Sequence, residues 1–120
     1  MKKTSQEYDD VIAFCRTLFI NKMKDYGSAW RIMRMPSLTD QIFIKAQRIR
    51  TLEETGISKV GDGIEGEFVG IINYALMALI QMNLDENTPM ELDVEKAMTL
   101  YDEQVITTRD LMLQKNHDYS

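Results

Sequence analysis

Six glycines and two prolines are the strong breakers in this chain of 120 residues, and their placement leaves room for little but helices. The prolines are Pro36 and Pro89; glycine occurs at Gly27, in the stretch Gly56 to Gly70, and nowhere later. Between the breakers, apolar residues recur at helical spacing. Val11, Phe14, Cys15, Leu18 and Phe19 form one i, i+3, i+4 stripe, which predicts a first helix from about Ser5 to Lys24, turned by Gly27. A short helical turn is expected around Trp30 and ends before Pro36, because the residue ahead of a proline is biased away from helical angles. Ser37 with Asp40 three residues on reads as a variant capping box. The helix it opens runs to about Glu54, ends at Gly56, and turns Leu38, Ile42, Ala46, Ile49 and Leu52 inward. "ISKVGDGIEG" has no period and reads as a loop. A third helix, about Glu65 to Met82, carries Phe68, Ile71, Ile72, Ala75, Leu76 and Leu79 on one broad face; as the most apolar segment it is expected at the centre of the core. "NLDENTPMELD" reads as a surface linker, and a last helix spans about Val94 to Lys115. No hairpin dipeptide separates alternating runs. The expected fold class is all-α, a bundle of about four main helices in a single domain over residues 1–120.

One domain of this length buries roughly two-thirds of its unfolded surface, enough for a core without staples. Cys15 is the only cysteine, which removes internal disulfides and multi-cysteine zinc sites. The net charge of −5 gives no electrostatic reason to expect duplex nucleic acid or an anionic membrane as partner, although a local cationic pocket can still take a small anion. No run approaches eighteen apolar residues, so no membrane span is expected. "MKKTSQEYDD" turns acidic after two lysines, unlike a signal peptide, and the expected location is cytoplasmic.

The first and last helices match each other. Tyr8 to Gly27 aligns without a gap on Tyr101 to Ser120, at a constant offset of 93, with seven identities: Tyr8/Tyr101, Asp9/Asp102, Arg16/Arg109, Leu18/Leu111, Lys22/Lys115, Asp25/Asp118 and Tyr26/Tyr119. Residues 101–120 therefore read as the opening of a second repeat that stops as it begins. The apolar face of one repeat would favour pairing with another copy, so a homo-oligomer is expected.

Three stretches carry residues suited to chemistry. "KDYGSAWR" joins the carboxylate of Asp25 to two rings, Tyr26 and Trp30, that can stack on a base. The bland alternative is a helix terminus with Trp30 filling the core. "DQIFIKAQRIR" sets Lys45 and Arg48 on one helical face, with Asp40 near the helix start. Arg48 offers a planar fork for phosphate and Lys45 a point charge; a solvated face of salt bridges is the alternative. "DGIEGEFVGIINYA" supplies Asp62, Glu65 and Glu67 near a helix start, with Asn73 and Tyr74 further along, Tyr74 seven residues after Glu67 and so on the same face. Acids there are favoured by the helix dipole alone; as a metal site, Asp62 and Glu65 have the right spacing but no second acid pair follows. His117, the only histidine, reads as solvated.

Together "KDYGSAWR", "SLTDQIFIKAQRIRTLEE", "VGDGIEGEF" and "IINYALMALIQM" resemble the bacterial nucleotide-modification-associated domain 1 family, a domain of unknown function, over about Asn21 to Met82. Longer members look like two tandem copies, the second opening with "KNHDYG", where this chain has "KNHDYS". The family is more distantly similar to the all-α, MazG-type nucleotide pyrophosphohydrolases, which use magnesium held by paired carboxylates. That likeness implies nucleotide binding, with Asp62, Glu65 and Glu67 toward Mg2+, Lys45 and Arg48 toward phosphate, and Tyr26 and Trp30 toward the base. Gly70 stands where a fourth acid is expected, which puts catalysis by a single copy in doubt. The competing expectation is a non-catalytic helical interaction or oligomerisation module.

Overall fold

In the computed structural model, which describes residues 2–56 and 63–119, the chain forms four helices: α1 (Lys2–Tyr26), α2 (Met35–Thr55), α3 (Ile64–Asn83) and α4 (Val94–Tyr119). A 3-10 turn, Ala29–Ile32, joins the first two. The described residues include no strand, and the expected all-α bundle is what forms. Glycine ends two helices. Gly27 and Gly56 adopt φ of 62° and 65°, a left-handed conformation that costs other residues a Cβ clash. Their N–H groups close onto Met23 O at 2.8 Å and Leu52 O at 2.9 Å.

The start of α2 differs from expectation. It begins at Met35, its cap residue Arg34 offers no side-chain bond, and Pro36 lies inside the first turn. The Ser37–Asp40 capping box does not form, because a first-turn proline lacks only an N–H that would be orphaned anyway. At α4, by contrast, the Asp93 carboxylate accepts the Lys96 N–H at 2.7 Å, as an N-cap does.

The core gathers around Tyr101, which is fully buried and stacks on Phe19 with centroids 4.7 Å apart. Trp30 tilts onto the other side of Phe19 at 5.9 Å. The Tyr101 hydroxyl donates to Asn73 Oδ1 at 2.8 Å, and Asn73 Nδ2 donates to the Cys15 carbonyl at 3.1 Å. One buried amide thus ties α4, α3 and α1 together. The 3-10 turn is pinned to α3: the Arg31 guanidinium donates to Gln81 Oε1, and Gln81 Nε2 returns bonds to the carbonyls of Arg31 and Met33 at 2.8 and 3.2 Å. This fixes Trp30. α2 packs chiefly on α3 and lies outside the α1, α3, α4 cluster.

α1 and α4 run antiparallel, and the matched positions face one another. Arg16 grips Asp102 with two bonds of 2.8 and 2.9 Å, and Arg109 grips Asp9 with two of 2.8 and 3.2 Å. The exchange is reciprocal, as a local twofold axis between two like helices requires. Tyr8 lies 2.5 Å from Thr108 Oγ1. The hydrogen-bonded carboxylates, first Asp102 and first Asp9, raise the pKa of each guanidinium. These partly exposed bridges specify register more than they stabilise, and salt screens them.

Several apolar stripes sit differently from their predicted faces. On α1, Val11, Phe14 and Leu18 are 48%, 56% and 36% exposed while Cys15, Phe19 and Met23 turn inward. On α2, Leu38 and Ile49 are buried but Ala46 is exposed. On α3, Phe68 is half exposed, and Val69, Asn73, Leu76 and Ile80 face the core. A helix that is apolar nearly all round carries little information about which side meets its neighbours. For the same reason α3, contrary to expectation, is long and apolar enough to cross a membrane by length and composition alone. Here it packs against α1, α2 and α4 with Glu67 and Asn73 turned inward.

Burial pushes the Tyr101 phenol far above its ordinary value of 10.0, and burial likewise raises the Cys15 thiol from 9.0. Above those ordinary values the unfolded chain loses protons that the folded chain keeps. Stability is therefore whole below about pH 9 and falls as pH climbs, at up to ~1.4 kcal/mol per pH unit for each group. Urea melts between pH 8 and 11 are expected to show that fall, and Cys15→Ala to delay its onset toward pH 10; equal slopes in both proteins would contradict it.

Candidate functional site

A cavity of about 700 Å³ opens between the C-terminal half of α1, the 3-10 turn, α2 and α3. α2 packs chiefly on α3, and the turn that carries Trp30 lines the space between α3 and α1. The walls are aromatic and aliphatic: Tyr26 and Phe19 from α1, Trp30 from the turn, Tyr74, Val69 and Met77 from α3. Two lysines, Lys22 and Lys45, line it, and among the described residues no carboxylate does.

Each lysine rests beside a ring. Lys22 Nζ lies 5.4 Å from the Tyr26 centroid, and Lys45 Nζ lies 5.8 Å from that of Tyr74, both within cation–π range. Lys45 crosses α3 over Gly70, where an added Cβ would stand 2.5 Å from its Cδ and Cε. Gly70 is therefore a groove for the lysine stem, which gives that glycine a physical role where an acid was expected. Beyond the groove the Lys45 ammonium lies 3.6 Å from Glu67 Oε2. Glu67 is 8% exposed, and Arg48 Nη1 approaches its other oxygen at 3.9 Å. Neither distance is a hydrogen bond, and Oε2 accepts none. The carboxylate acts as a buried counter-ion between two cations.

The predicted residues divide into three groups. Tyr26, Trp30, Lys45 and Tyr74 come together around the cavity. Trp30 also fills the core, being 8% exposed with its indole N–H donating to Met23 Sδ at 3.2 Å. Arg48 and Glu67 stand behind Lys45, away from the lining. Asp25, Asp40 and Glu65 are exposed and do not line the cavity. Asp62 lies outside the described residues. Among the described residues no three histidine, cysteine or acidic side chains come together as metal ligands. Glu67 would be the natural first ligand, but flanking cations oppose a Mg2+ ion there, so the described donors do not fit that ion.

Lys22 and Gly70 were not among the expected site residues, and Asn73 was expected beside Tyr74 without a role. Lys22 carried a readable signal, since it precedes Tyr26 by one helical turn and must share its face. Gly70 and Asn73 matter through partners on other helices, which no local pattern reveals.

The family model described as nucleotide modification associated domain 1 matches residues 22–82. That span contains every cavity-lining residue except Leu18 and Phe19. No curated protein and no solved structure matches the chain.

Proposed function

The chain belongs to the nucleotide modification associated domain 1 family, a domain family of unknown function, and from that premise we propose that its cavity binds a nucleotide. The observation that carries this is the lining itself: two lysines, four aromatic rings and, among the described residues, no acid, in a protein of net charge −5. A local reversal of sign favours an anionic ligand. Aromatic walls favour a planar one, because base–ring stacking contributes about 1–3 kcal/mol per base. The volume, about 700 Å³, is that of a small-molecule pocket. A cytoplasmic location fits the same proposal, with Cys15 a free thiol. Binding is as far as the described residues carry the chemistry.

Trp30 is the only tryptophan and lines the cavity, so its fluorescence reports occupancy. Titration with nucleoside mono- and triphosphates is expected to give a saturable change in emission and matching heats. Absence of both for nucleotides of all common bases would remove the proposal. Pyrophosphate release in magnesium would extend it from binding to catalysis.

A second reading, a helical interaction module, is supported by exposed apolar surface. The accessible area is 8469 Å², whereas a monomer of this mass averages about 6,700 Å². The radius of gyration is 15.5 Å, against about 13.6 Å for 120 compact residues. Large apolar side chains, among them Phe14, Phe43, Phe68, Ile106 and Leu111, are at least half exposed. Under this reading the protein sediments as a homo-oligomer that Phe14→Glu dissociates.

A further inference from the structure

We infer that the cavity takes its anion directly on the ammonium groups of Lys22 and Lys45, with no bridging divalent ion, and that it accepts nucleotides without selecting the base. This rests on the nucleotide-binding proposal and specifies how the ligand is chosen.

The lysines come first. An ammonium group carries three N–H donors, and among the described residues neither lysine hydrogen-bonds a protein acceptor. Lys22 has Tyr26's ring beside it and forms no ion pair among the described residues. Lys45 has Glu67 at 3.6 Å, close enough for attraction and too far for a hydrogen bond. Two charged groups with open donors therefore border a hollow that no described carboxylate lines. Phosphate oxygens are strong acceptors for such donors, and the bonds that form are charge-assisted. The role that a magnesium ion plays elsewhere, neutralising phosphate, falls here to the side chains, since Glu67 is already engaged by Lys45 and Arg48.

Base tolerance follows from where the directional polar groups point. A site that reads a base does so by hydrogen bonds to the ring edge, and it rejects analogues because unmatched polar groups are costly. In this cavity both ends of the Asn73 amide are engaged, by the Cys15 carbonyl and the Tyr101 hydroxyl. The Trp30 indole N–H is turned to Met23 Sδ. What remains toward the hollow, besides the hydroxyls of Tyr26 and Tyr74, which can each donate or accept and so suit any base edge, is mainly ring and apolar side chain, and every base has a π-face to stack.

The test is a set of Trp30-fluorescence titrations of the whole protein with AMP, GMP, CMP, UMP, the matching nucleosides and inorganic phosphate, each in EDTA and in magnesium. Purines are expected to bind within about threefold of one another and within about tenfold of pyrimidines, with EDTA changing nothing. Nucleosides are expected to bind at least tenfold more weakly than their monophosphates. Lys22→Gln is expected to weaken the monophosphates at least fivefold and the nucleosides hardly at all; as an exposed helical substitution it leaves folding intact. Loss of binding in EDTA, preference for one base above about thirtyfold, or equal weakening of nucleosides by Lys22→Gln would each overturn this inference while leaving a nucleotide site in place. No binding of any nucleotide under either condition would overturn the inference and the proposed function together.

Discussion

Tyr101→Ala is expected to lower the unfolding free energy by about 4–6 kcal/mol, the largest single-site effect in the molecule. Removing a fully buried aromatic ring from a core costs about 3–5 kcal/mol. Tyr101 is 0% exposed and stacks on Phe19, so the vacated space borders the ring that supports Trp30. A second cost comes from Asn73, whose Oδ1 loses the hydroxyl it accepts at 2.8 Å; a buried acceptor left alone adds about 1–3 kcal/mol. The two overlap, because relaxation around the gap can admit water to the amide. A domain of this size has only about 5–15 kcal/mol in all, so the variant should melt near or below physiological temperature. Tyr101→Phe separates the terms: it keeps the ring and is expected to cost about 1–3 kcal/mol. Urea unfolding followed by circular dichroism measures both. If Tyr101→Phe is as stable as the parent, the bond to Asn73 does not help hold α4 to α3.

Lys45→Met is expected to cost about 3 kcal/mol, and Lys45→Met with Glu67→Leu to recover most of it. Methionine can lie in the Gly70 groove as the lysine stem does, so packing over α3 is largely kept. What disappears is the ammonium beside a carboxylate that is 8% exposed. Breaking a buried pair from one side costs about 3–5 kcal/mol, whereas replacing both partners with apolar groups is often neutral. Arg48 remains 3.9 Å from Glu67 in the single variant, which places the cost at the lower end. Arg48, already 61% exposed in the parent, returns to water without difficulty in the double variant. Ligand affinity should behave differently: both variants lose the ammonium at the cavity and both should bind monophosphate at least tenfold more weakly. Stability that recovers while binding does not would separate the structural use of Lys45 from its use toward an anion. A single variant that is no less stable than the parent would show that Glu67 does not need Lys45. A double variant that binds normally would remove Lys45 from the site.

Much of the helical plan was legible because it is local. Breakers at Gly27, Gly56 and Pro89, and periodic apolar runs between them, are short-range physics, so the helix count and order follow from neighbours along the chain. Boundaries were less so: Pro36 was expected to precede α2 and lies in its first turn, because a proline's conflict with a helix depends on where in the helix it sits. Tyr26, Trp30, Lys45 and Tyr74 were recognisable as site candidates by residue type alone.

What the amino-acid order determined by itself was the set of helices, the likeness between the α1 and α4 segments, and the stock of cations and rings near α1, α2 and α3. Tertiary packing alone decided which face of each helix turned inward. It buried Asn73 in place of Phe68, since an amide with partners on two other helices is satisfied there. It also laid Lys45 across Gly70 and gave Glu67 a counter-ion's task. Such outcomes depend on distances between residues far apart in sequence, and a helix that is apolar on most sides leaves that choice to its neighbours.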